Sequence, residues 1–203
     1  MAYNVLLMSG LTISVMESDR SLPPATLLGI NRIVQGYFDK VVAAHDALPG
    51  RKKYGSALVR WLADFPNVAA DELLIYVMPL GTTIASTYAL KVGSPPPGHD
   101  GRTHPGTDGV ASEVYTRFRD PQTLANLIFH EAMHNKLALD NDHLHPRGGL
   151  AVASVGPETK LTDRNIQEMA AALDLPRRQW TKGIKLISDY SMIPDSDPTK
   201  GIL

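Results

Sequence analysis

The 203-residue chain contains no cysteine. That excludes disulfides, thiolate nucleophiles and every metal site built on sulfur, so any metal must be held by imidazole, carboxylate or water. It also leans the chain toward a reducing compartment, because small secreted domains commonly rely on disulfides. A basic excess is missing as well: 20 Lys+Arg stand against 21 Asp+Glu, a formal charge of -1. Nucleic acid and anionic membrane surfaces are therefore not expected as partners. The apolar stretch Met1 to Met16 is too short to span a bilayer. No Lys or Arg precedes it and no small-residue cleavage pattern closes it, so it does not read as a signal peptide. It reads as a buried strand or two bounded by Glu17-Ser18-Asp19-Arg20, in a chain that is cytoplasmic or exported by a leaderless route. Internal repeats and heptads are absent from the sequence.

What is present is the composition of a folded protein, with 43% hydrophobic and 20% charged residues, enough to build a buried core. The length favours one domain over 1–203, its sheet-containing half 1–119 and its helical half 120–203. Pro23-Pro24 opens a helical pattern in which Leu27, Ile30, Val34, Tyr37, Phe38, Val41 and Val42 recur at three- and four-residue spacing, up to Pro49-Gly50. A shorter helix is expected over Gly55–Phe65, with Leu58, Trp61, Leu62 and Phe65 inward. Leu73–Met78 reads as a core strand, Thr82–Val92 as its neighbour and Val110–Phe118 as another strand. Between them, Gly93–Gly109 holds four prolines and five glycines in 17 residues, a composition expected to sustain neither helix nor sheet. Such a loop serves as the lip of a site or simply as a solvated connection. His99, Asp100, His104 and Asp108 make a secondary metal site conceivable there, with the solvated loop the favoured reading. A helix capped by Thr162 or Asp163, with Leu161 as staple, is expected to about Leu173, and a second over Arg177–Ile187. The class is α+β: a small mixed sheet packed on a long N-terminal helix and a second central helix, with C-terminal helices.

That second central helix carries the chemistry. Asp120 suits an N-cap and Pro121 the first helical position, and Leu124, Leu127, Ile128, Met133 and Leu137 supply the apolar spacing. His130-Glu131-Ala132-Met133-His134 falls in its third and fourth turns. At 100° per residue, His134 lies about 40° round from His130 and one turn along, so both imidazoles can reach one ion. Glu131 lies about 60° from His134, on the adjoining edge, where its carboxylate can take a proton from a water on that ion. Shuffling the chain's seven His and six Glu yields this HExxH pattern in well under ~1% of cases. A buried helix whose histidines merely hydrogen-bond to neighbours is the bland alternative, and a segment this apolar argues against it.

On this motif the chain resembles the zincin metallopeptidases. The resemblance covers the HExxH helix and, more loosely, a β-rich N-terminal half followed by helices. It implies a zincin-like fold, a single catalytic Zn2+ held by His130 and His134, Glu131 as general base, and a peptide or protein substrate. Zinc suits imidazole and carboxylate ligands with one open water position. In the metzincin branch the pattern continues with a glycine and then a third ligand, at positions occupied here by Leu137 and Asp140. Asp140 as a ligand resembles a snapalysin-type variant, and it keeps that place only if the helix ends by Leu137. Asp140-Asn141-Asp142 is a plausible helix end, after which His143 or His145 can swing back. His145 ranks first among the three, ahead of Asp140 and then His143. It precedes Pro146, which biases it to an extended conformation, and Gly148-Gly149 leave the backbone room to pack closely. The metzincin resemblance further suggests a methionine turn over Ser188–Pro194, with Met192 as floor and Tyr190 as hydrogen-bond donor to the transition state, although a Met beside a Pro turn is more commonly packing. Arg147 is a second candidate for that donor.

The expected activity is therefore zinc-dependent peptide-bond hydrolysis, with substrate lying extended along a strand edge near Val110–Phe118. Two alternatives stand beside it. A metal-dependent endoribonuclease that spaces three histidines as HxxxH, five residues, His would place its last ligand at Asp140, and RNA does not suit the charge balance. A structural zinc-binding or toxin-like module would use the metal only to tie the helix to the loop after it. A peptide deformylase is disfavoured for want of its metal-binding cysteine.

Overall fold

The computed structural model describes residues 11–17, 22–62, 73–78, 101–103, 111–115, 120–137 and 139–174. Pro23 and Pro24 start the first helix without a side-chain cap, since a proline at the first helical position has no N–H to satisfy. In chain order the elements are β1 (Leu11–Glu17), α1 (Pro24–Asp46), β2 (Ala57–Leu62), β3 (Leu73–Met78), β4 (Gly101–Thr103) and β5 (Ala111–Tyr115). The helices α2 (Pro121–Leu137), α3 (Asn141–Leu144) and α4 (Asp163–Ala172) follow, with 3-10 turns His145–Arg147 and Gly149–Ala151 between the last two. This is a mixed helix-and-sheet architecture. The strands form one sheet in the order β2-β1-β3-β5-β4, parallel throughout except for the antiparallel β4.

The expected strand in the N-terminal stretch, the long helix, the core strand Leu73–Met78 and the strand before Asp120 are all present. Gly55–Phe65 is different: its described part, Ala57–Leu62, is a strand paired with β1 from Leu11↔Ala57 to Met16↔Leu62. Ala57 and Val59 are buried while Leu58 between them is exposed, the period of a strand rather than of a helix. The apolar spacing fits either period over so short a run, and a parallel partner in β1 decides it. The Pro/Gly-rich segment also departs from expectation. Gly101–Thr103 lies between its prolines and pairs as β4 with β5, from Gly101↔Val114 to Thr103↔Ser112. Three residues with one neighbouring strand to satisfy need no proline-free run longer than this. β5 consequently has β3 on one side and β4 on the other, so its own edges are taken; among the described residues β4 is the outer strand, beside α2. Thr82–Val92 and the helix expected over Arg177–Ile187 lie outside the described residues.

α1 lies against β2, α2 against β3, β5 and β4, and the two helices pack on each other. Phe129 anchors that contact, its ring 5.3 Å from that of Phe38 and edge-on to that of Tyr37 at 5.5 Å. Gly29 lets the helices approach, because a Cβ there would stand 3.0 Å from the Pro121 side chain. Polar ties lock the same seam: Tyr37 Oη donates to Asn126 Oδ1 at 2.6 Å, and Asn126 Nδ2 donates to the carbonyls of Gly156 and Thr159. The core continues under α4 through Met169, Ala170, Ala172 and Leu173. Among the described residues no helix is long and apolar enough to cross a membrane.

Truncating Phe129 to Ala should cost about 3–5 kcal/mol in urea unfolding, as expected for a fully buried aromatic. Leu28→Ala, at a side chain 71% exposed, should stay within about 0.5 kcal/mol. Equal effects at the two positions would contradict the packing described.

Candidate metal centre

α2 is buried almost all round: every residue from Thr123 to Asn135 is inaccessible or nearly so. Asp120 starts it by accepting the Thr123 N–H at 2.8 Å, as its N-cap role predicts. Placing His130, Glu131 and His134 on such a helix removes two imidazoles and a carboxylate from water, and burying polar groups is costly unless something compensates.

For the imidazoles, part of the compensation is visible. His130 Nδ1 lies 2.7 Å from the carbonyl oxygen of Leu150, and His134 Nδ1 lies 2.6 Å from that of Leu139. A carbonyl only accepts, so each Nδ1 carries the proton of its neutral ring and each Nε2 presents a lone pair. The two Nε2 atoms stand 3.1 Å apart. His145 completes the group, and the three histidines bring ligand atoms within 4.8 Å of one another. The His145 ring centroid is 5.4 Å from each of the other two, and its Nε2 is buried without a hydrogen-bond partner.

Protonation is disfavoured as a way to relieve this crowding. Burial pushes the His130 pKa down to about 4 and that of His134 well below its ordinary value; His145 lowers both further and His130 lowers His134, against the hydrogen bonds to the Leu150 and Leu139 carbonyls. Burial lowers His145 too, against the opposing pull of Asp142 and Asp140. The rings are thus neutral near pH 7, the form that ligates a metal. Two nitrogens about 2.0–2.1 Å from one tetrahedral ion stand roughly 3.3 Å apart, close to the spacing found here. The donor set fits a divalent cation.

The route by which the third histidine arrives differs from the expected one. α2 ends at Leu137, where the metzincin pattern has its glycine, and Leu137 remains helical and buried. Asp140 does not join the cluster. Its side chain caps α3, accepting from the His143 N–H at 3.0 Å and meeting His143 Nδ1 at 2.5 Å. The segment Asp140-Asn141-Asp142 therefore begins a new helix where a simple reversal was expected. His143 is turned outward, its side chain 70% exposed beside Asp140. His145 sits one short helix further on with φ -60 and ψ -33, helical despite the proline after it. Continuation of α3 into the turn His145–Arg147 overrides the extended bias that Pro146 exerts.

Glu131 is buried beside these histidines, and its backbone carbonyl accepts from Ser112 Oγ of β5 at 3.4 Å. Ser112 in turn accepts from Asn135 Nδ2 at 3.2 Å, so the sheet is tied to the helix at the HExxH turn. Arg147 is committed elsewhere: NH1 bonds Glu168 at 2.6 Å and Nε donates to the His143 carbonyl at 2.8 Å. Tyr190, Met192 and the residues His99, Asp100, His104 and Asp108 lie outside the described residues. Missed by the sequence reading were the carbonyls of Leu139 and Leu150, which every residue type offers equally. Compared with protein-family models, curated proteins and solved structures, the chain matches none.

The lowered His130 sets the acid behaviour of the metal-free chain. Its unfolded form takes up a proton near pH 6.5 and its folded form only near 4, so stability is full above 6.5 and falls as pH drops through that window. Urea midpoints measured in chelator should decline across it, and less steeply in His130→Gln. A wild-type midpoint that is flat from pH 6.5 to 4.5 would contradict the burial of a neutral imidazole.

Proposed function

We propose that this chain is a zinc-dependent peptide-bond hydrolase of zincin-like architecture. The observation that carries the reading is the convergence of three neutral imidazoles around a buried helix turn that also bears Glu131. His130, His134 and His145 would hold the ion. Zinc in a three-ligand site supplies a Lewis acid and brings the pKa of a water toward neutrality. Glu131 is the general base: its carboxylate receives a proton from the attacking water and returns it to the departing amine. Burial of the whole HExxH turn keeps bulk water from competing for that proton.

The sheet supports a peptide as substrate. Among the described residues β4 is the outer strand, and its Thr103 pairs with Ser112, whose hydroxyl reaches the Glu131 carbonyl. An extended chain adding to the outer edge of β4 would run beside the ligands, by main-chain hydrogen bonds that any peptide can make. The zincin reading further rests on the parallel sheet flanked by two helices, the second carrying the histidines. A structural zinc module is the second reading, favoured by the depth of His130 and His134, since closed structural sites are equally buried.

Glu131→Gln separates the two. It should keep one zinc per chain and the wild-type unfolding midpoint while casein cleavage falls at least about 100-fold, the range typical of a lost general base. His134→Ala should lose both zinc and cleavage. Chelator-insensitive cleavage, or full activity in Glu131→Gln, would refute the hydrolase, and zinc-loaded wild-type protein inert toward peptides would leave the module.

A further inference from the structure

We infer that Asn165, on the first turn of α4, is a positioning residue for the metal centre, setting two of its three ligands from outside it. The inference rests on the metal-site reading above and adds an element that carries no ligand. Asn165 is fully buried, and three of the four hydrogen-bonding positions of its amide are used. Oδ1 accepts from the Leu150 N–H at 2.9 Å and from the Thr162 N–H at 3.3 Å, while Nδ2 donates to the Gly148 carbonyl at 3.0 Å. Thr162 closes a capping box with it, taking the Asn165 N–H on its hydroxyl at 3.3 Å.

A capping box ordinarily uses Glu or Gln at this position and spends that side chain on the helix alone. Asparagine here also grips the peptide groups on both sides of Gly149. One of them belongs to Leu150, whose carbonyl holds His130 Nδ1. The other is the carbonyl of Gly148, which directly follows the turn His145–Arg147 that carries the third histidine. A single amide thus holds the far end of the segment that bears His145 and, through its N–H, the residue whose carbonyl sets the rotation of His130. Glu168, three residues on along α4, holds the same segment through Arg147. Gly149 completes the fit: its φ is +60, and a Cβ there would meet Asn165 Oδ1 at 2.2 Å and Thr162 Oγ1 at 2.7 Å. Only glycine lets the segment press onto the amide.

Outer-shell partners that orient a ligating histidine are worth about 10–100-fold in metal affinity, and Asn165 acts one bond further out. The full-length chain is titrated with Co2+ in competition with a chromophoric chelator, and its visible absorption is recorded. Asn165→Ala should bind Co2+ about tenfold more weakly, with a d–d band displaced from that of wild type. Asn165→Asp keeps the acceptor facing Leu150 but turns a second oxygen, and when ionised a buried charge, on the Gly148 carbonyl, so it too should weaken Co2+ binding and displace the band. Thr162→Ala weakens the start of α4 but keeps every bond from Asn165 to the segment, so it should lower the unfolding midpoint without changing Co2+ affinity. Wild-type affinity and spectrum in Asn165→Ala would overturn the inference. So would an equal loss of affinity in Thr162→Ala, which would reduce Asn165 to a helix cap. If Asn165→Ala does not fold, Asn165→Asp against Thr162→Ala decides by the same two readings. Wild-type chain that binds no Co2+ would instead overturn the metal-site reading itself.

Discussion

Two lone pairs 3.1 Å apart in a dry helix core are the constraint around which the remaining structure is arranged. The carbonyls of Leu150 and Leu139 commit the Nδ1 protons of His130 and His134, so both Nε2 atoms are acceptors turned toward one another. Burial works against a shared proton as the remedy near neutral pH, because it disfavours the imidazolium on both rings. A divalent ion would reconcile the pair, and His145 brings a third nitrogen close enough to share it.

Holding acceptors in mutual opposition needs a stiff surround, and the fold supplies one from three directions. From the sheet, β5 reaches α2 through Ser112, bonded to the Glu131 carbonyl and to Asn135. From the N-terminal side, α1 presses Phe38 and Tyr37 onto Phe129, one residue before His130. From the C-terminal side, α4 grips the segment between His145 and Leu150 with Asn165 and Glu168. Ordering that segment costs backbone entropy, which explains its dense use of side-chain-to-backbone bonds. The Asp140 carboxylate belongs to this scaffold: it starts α3 and so fixes where His145 emerges.

Much of this was legible in the residues. Long periodic segments with clear caps, such as α1 and the Asp120-started α2, declare themselves because local propensity and burial agree. The HExxH turn was readable because helical spacing alone puts His130 and His134 on one side. His145 was reachable as a candidate but its path was not, since two backbone biases compete: Pro146 favours extension, and α3 running into a 3-10 turn imposes helical angles. β2 was missed because six residues with apolar side chains at mixed spacing suit either period, and only the parallel partner β1 chooses. β4 was missed because glycine and proline dominate its surroundings while Gly101–Thr103 themselves carry no proline. Asn165 did leave a trace, an asparagine where a capping box normally holds Glu or Gln, but its second role depends on contacts made 15 residues away in sequence to Leu150.

The most direct measurement is X-ray absorption at the zinc edge on full-length protein loaded with one equivalent of zinc at neutral pH. Three imidazole nitrogens at about 2.0–2.1 Å with one further light-atom ligand is the expected coordination, dropping to two imidazoles in His145→Ala. A chain that fails to retain zinc through gel filtration, or a spectrum unaltered by His145→Ala, would contradict it.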